Sequence, residues 1–148
     1  MDKQMKMTIT WLGQSCFRIE ADGYVIVLDP YEDYYVPGLG KIREAANEVL
    51  CSHEHRDHAG VSGVELLEGK PSPFHVTQME SFHDDKRGAL RGMNTIRILQ
   101  YGDLRVAHLG DLGGELSSEQ MESLTGLDAV MVPVGGYYTI DAQQAADL

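Results

Sequence analysis

His53-Glu54-His55-Arg56-Asp57-His58, the six residues after the apolar run Val49-Leu50-Cys51 and Ser52, decide how the rest of the chain is read. In an extended chain alternate side chains share a face, so His53, His55 and Asp57 point together while Glu54 and Arg56 point away. On a helix His53 and His55 would diverge by about 200° and could not grip one ion. The segment is therefore expected where a strand runs into a loop, with His58 turned in from the position after Asp57. Neutral imidazole and carboxylate form a ligand set for zinc, manganese or iron. Half of the chain's six histidines lie in this one segment, which argues against a polar loop that holds histidines by coincidence.

Size and charge narrow the function classes. A chain of 148 residues with 43% hydrophobic content is expected to form a single domain over residues 1–148 with a real core. Its 23 acidic and 12 basic residues leave a formal net charge of −11, which disfavours nucleic acid as a partner. A small anionic substrate remains compatible, because bound metal ions supply positive charge that the formal count omits. Cys16 and Cys51 are too few for a disulfide framework. Residues 1–7 lack the apolar stretch of a signal peptide, and no run reaches membrane-spanning length. The expectation is a cytoplasmic protein with no membrane partner.

Strands are expected at Thr8–Leu12, Cys16–Glu20 and Tyr24–Leu28, with a hairpin turn at Ala21-Asp22-Gly23-Tyr24 and a stop at Asp29-Pro30. Tyr31–Gly40 reads as a loop whose tyrosines either overhang a site or lie on the surface with no role. Glu48–Ser52 reads as a buried strand that delivers the histidines, and Val61–Glu68 as a weak helix broken by Gly69, Pro71 and Pro73. Further strands are expected at Phe74–Thr77, Thr95–Gln100, Leu104–Leu109 and Asp128–Val134. Ser117 or Ser118 is placed to cap a helix over Glu119–Leu124, and Asp141 with Gln144 forms a capping box for another.

Candidate ligands outside the hexapeptide are His83, in His83-Asp84-Asp85, and Asp111, whose flanking Gly110 and Gly113 allow a tight turn that presents a carboxylate. The order of these groups resembles the metallo-β-lactamase superfamily. Its signature His-x-His-x-Asp-His is matched by His53 to His58, its upstream strand-ending Asp by Asp29, its later His by His83 and its bridging Asp by Asp111. The phrases His83-Asp84-Asp85-Lys86-Arg87-Gly88, Arg91-Gly92-Met93-Asn94-Thr95, His108-Leu109-Gly110-Asp111-Leu112-Gly113 and Pro133-Val134-Gly135-Gly136 resemble a bacterial branch of metal-dependent hydrolases related to the ascorbate-6-phosphate lactonases.

The resemblance implies an α/β fold of the four-layer αββα type, two mixed sheets face to face with helices outside. It also implies a site with two divalent metal ions, zinc first and manganese as the alternative. His53, His55 and His83 would hold one ion, Asp57 and His58 the other, and Asp111 would bridge them. Asp29 would orient a ligating imidazole. The implied reaction is hydrolysis of a small-molecule ester, lactone or phosphoester by a metal-activated hydroxide, with Asp57 orienting it and carrying a proton. Lys86, Arg87 and Arg91 read either as ordinary solvated charges or as partners for a substrate phosphate or carboxylate.

The branch continues past the helix at Thr139-Ile140-Asp141 to a final strand ending in another metal-binding His, and its segment matching Gly69–Glu80 is longer. The expectation is a chain lacking its last strand and helix, with self-association covering the exposed region, most simply as a homodimer. The alternative reading is a catalytically defective, metal-binding fragment of the same family. His75 and His108 are the remaining histidines, and no motif marks either as the final ligand. A nuclease, the third reading, is opposed by the acidic charge.

Overall fold

The structure, a computed structural model, describes residues 5–53, 60–136 and 138–148, with Ser62 described by its backbone alone. The residues divide into two compact units, one of Met1–His75 with Tyr101–Leu104, the other of Val76–Gln100 with Arg105–Leu148.

In the first unit, strands β1 (Met7–Gly13), β2 (Cys16–Ala21), β3 (Tyr24–Leu28) and β5 (Glu48–Leu50) form a sheet in the order β1-β2-β3-β5. The β2–β3 link is the expected hairpin: Asp22 and Gly23 both have positive φ, at 53° and 75°, as a two-residue primed turn requires. β2 is antiparallel to both β1 and β3, whereas β3 and β5 run parallel. Every residue of β3 is buried, as expected of an inner strand covered on both faces. Val25, Val27, Cys16, Tyr31, Ile42, Ala46 and Val64 form the core on one face.

One expectation needs correction here. Val61–Glu68 is no helix: a 3-10 turn at Val61–Gly63 leads into strand β6 (Val64–Leu66), which pairs in parallel with β4 (Glu44–Ala46), a strand the sequence does not announce. Val64 enters the core beside Ala46, and that burial together with the strand pairing outweighs weak helical propensity.

In the second unit the sheet order is β10-β9-β8-β7, from β7 (His75–Phe82), β8 (Met93–Tyr101), β9 (Leu104–His108) and β10 (Ala129–Met131). β7 is longer than the expected Phe74–Thr77 strand, and β10 is shorter than Asp128–Val134 and half open, with Val130 at 47% exposure. Ile96, Ile98, Ala107, Leu109, Leu112 and Ile140 make the core. Helix α1 (Ser118–Ser123) carries a full capping box between Ser117 and Gln120, and the Gln120 amide also donates to Glu80 O at 2.6 Å, pinning the helix to β7. Helix α2 (Ala142–Asp147) carries the expected capping box between Asp141 and Gln144.

Candidate metal centre

The first group of candidate residues follows from the β3–β5 register. Leu28 lies opposite Leu50, so the strand-ending Asp29 comes level with the start of the histidine segment. Asp29 is fully buried and left-handed, with φ 48°, a conformation Asp tolerates better than most residues with a Cβ. Its carboxylate takes the Ser52 N–H at 2.6 Å and the Ser52 hydroxyl at 2.5 Å. The Ser52 Oγ also lies 2.8 Å from His53 Nδ1. A carboxylate only accepts, so the single hydroxyl proton goes to Asp29, and Oγ must accept from Nδ1–H. That chain assigns the tautomer of His53 and leaves the lone pair on Nε2.

The far side of the histidine segment ties to the same place. Gly60 N donates to Pro30 O at 2.5 Å, and a Cβ on Gly60 would overlap the backbone of Tyr31 and Glu32. Residues 29–32 therefore hold both flanks of the hexapeptide. His55, Asp57 and His58 lie outside the described residues.

The second group lies in the other unit. His83 follows β7 and is 1% exposed, and Asp111 follows β9 and is 8% exposed. His83 Nε2 and Asp111 Oδ2 are 3.3 Å apart. That exceeds the roughly 2.7–2.9 Å of a charge-assisted hydrogen bond. It matches the edge, about 3.3 Å, of a tetrahedron whose centre lies about 2.0–2.1 Å from nitrogen and oxygen donors. The pair thus fits a divalent ion in both donor type and spacing.

What holds this pair is mostly backbone. Asp84, next to His83, is buried and takes four backbone N–H groups, those of Lys86 and Gly88 on Oδ1 and of Leu90 and Arg91 on Oδ2, at 2.7 to 2.9 Å. Burial alone would push its pKa up, but the four donors outweigh it and hold the carboxyl down to about 2. The loop after His83 is therefore wound around a permanent anion. Gly113 N donates to Phe82 O at 2.9 Å, which lays the turn after Asp111 along the His83 backbone.

Ser52, Asp84 and Asn94 are functional-site neighbours that sequence reasoning did not single out. Asp84 and Asn94 stood inside quoted motifs, but nothing local marks a carboxylate as a loop core or an amide as a bridge between strands. Of the cations near His83, Lys86 and Arg87 are exposed, and Arg91 lies 5.3 Å over the Tyr138 ring. His108 is buried at the end of β9, and His75 is exposed at the start of β7.

A family model described as the beta-lactamase superfamily domain matches residues 8–148. The chain is 30% identical over 168 residues to a UPF0173 protein of Pyrococcus furiosus, covering 96% of this chain and 77% of that one. A relative from Hyperthermus butylicus, named a UPF0173 metal-dependent hydrolase, is 25% identical over 182 residues, covering 93% and 77%. A solved structure from Thermotoga maritima, provisionally named a zinc-dependent hydrolase of the metallo-β-lactamase superfamily, is 32% identical with a TM-score of 0.71, covering 96% and 69%. The chain belongs to the β-lactamase superfamily, in its UPF0173 family of metal-dependent hydrolases, and has the α/β metallo-β-lactamase fold.

Proposed function

We propose that the chain, as one domain over residues 1–148, hydrolyses a small ester, lactone or phosphoester at a centre for two divalent ions, zinc first and manganese second. His53, His55 and His83 would hold one ion, Asp57 and His58 the other, with Asp111 between them. The observation that carries this reading is the 3.3 Å spacing of the buried His83 nitrogen and Asp111 oxygen.

Bound divalent ions supply Lewis acidity, bringing the pKa of water towards neutrality and polarising the carbonyl or phosphoryl group under attack. The protein's part is orientation. Asp29, through Ser52, presents His53 by Nε2. Asp57 is assigned to align the attacking water and carry its proton to the leaving group. Lys86 and Arg87, exposed on the loop after His83, suit an anionic group on the substrate. A cytoplasmic location and a homodimer belong to the same reading.

Metal content tests the reading: plasma mass spectrometry on untagged protein purified without chelator, then a panel of lactones, esters and phosphoesters. The expected result is close to two equivalents per chain and turnover of at least one class. Clearly less than one equivalent after zinc or manganese is added back would overturn it in favour of a defective metal-binding form.

A further inference from the structure

We propose that Asn94 is a positioning residue that sets the Asp111 carboxylate opposite His83, an inference that rests on reading those two residues as metal ligands. Asn94 is fully buried near the start of β8. Its Nδ2 donates to Leu109 O at 2.8 Å and to Ser81 Oγ at 3.0 Å, and its Oδ1 accepts the Asp111 N–H at 3.0 Å. The Ser81 hydroxyl in turn donates to Asn94 O at 3.0 Å. The amide has only one workable orientation. Reversed, it would set oxygen against the Leu109 carbonyl and nitrogen against the Asp111 N–H.

This one side chain joins the two segments that carry the donors. Ser81 lies two residues before His83, near the end of β7, and Leu109 and Asp111 lie past the end of β9. Beyond β9 the chain turns through Gly110 at φ 60°, so Asp111 sits outside the strand and its N–H goes to Asn94. The two ends of Asn94 have separable roles: the amide donors fasten the strands, and the carbonyl oxygen sets the backbone of Asp111.

Cobalt(II) titration of the full chain separates these roles, because affinity and ligand-field absorption report the donor set without any need for turnover. Asn94→Ala removes the acceptor facing Asp111. It is expected to weaken cobalt binding about 10–100-fold and to change the absorption bands. Asn94→Asp and Ser81→Ala keep an acceptor facing the Asp111 N–H but lose donors between the strands. They are expected to melt lower yet hold cobalt within about threefold of the parent, since their ligand geometry is retained. Parental cobalt affinity in Asn94→Ala overturns the proposal and leaves the metal reading standing. A loss of cobalt affinity of about tenfold or more against the parent in a folded Asn94→Asp variant also overturns it, and this arm decides if Asn94→Ala does not fold by circular dichroism. A parent chain that takes up no cobalt overturns the metal reading and this proposal with it.

Discussion

Gly113 lies so close to His83 that a Cβ on it would overlap the His83 carbonyl carbon and oxygen. The crowding atoms are backbone, so nothing flexible can move aside. Gly113→Ala is expected to cost roughly 1–3 kcal/mol, as overpacking a tight contact does. It should also displace His83 and lower metal content. Gly135→Ala is the control, because among the described residues a Cβ there meets only the Thr139 hydroxyl at 3.4 Å. Denaturant unfolding and metal analysis on both variants check this, and equal behaviour of the two would refute it.

The Asp29–Ser52–His53 chain makes a prediction about a proton. Nitrogen-15 spectra of the metal-free protein should show His53 as the Nδ1–H tautomer. Ser52→Ala should leave a mixture of tautomers and weaken metal binding about 10–100-fold, as loss of a partner behind a ligating imidazole commonly does. Finding the Nε2–H form in the parent protein would refute the assignment.

Cys16 sets an alkaline limit on stability. Burial, aided by the nearby Asp29, Glu44 and Cys51, pushes its thiol from an ordinary value near 9 up to about 12. Above pH 9 the unfolded chain ionises this thiol and the folded chain does not, so rising pH favours unfolding. The loss is roughly 1.4 kcal/mol by pH 10. Burial also raises Tyr24 and Tyr31, which add to the same limb at higher pH. Melting curves from pH 8 to 10.5 should fall less steeply for Cys16→Ala than for the parent protein. Parallel curves would show that the thiol is not responsible. Thiol labelling of the native protein should modify the half-buried Cys51 and spare Cys16.

Much of the fold was legible because its causes are local. β1 to β3 follow from short β-favouring runs and from Asp22-Gly23, which takes the positive φ values of its turn. Both helices begin where a side chain three residues from its partner completes a capping box. Val61–Glu68 was misread because its conformation comes from pairing with Glu44–Ala46, which no window around it contains.

The sequence by itself determined which donor groups this protein offers: a hexapeptide rich in imidazole and carboxylate after an apolar run, with His83 and Asp111 to follow, in the order of the superfamily, the set we propose as metal ligands. Only the tertiary structure decided what aims those groups. Asp29 reaches Ser52 across 23 residues, and Asn94 reaches Ser81 across 13 and Asp111 across 17. A hydroxyl or amide in sequence carries no mark of which distant donor or acceptor it will meet. Strand register brings the partners together, and burial then requires each polar atom to find one.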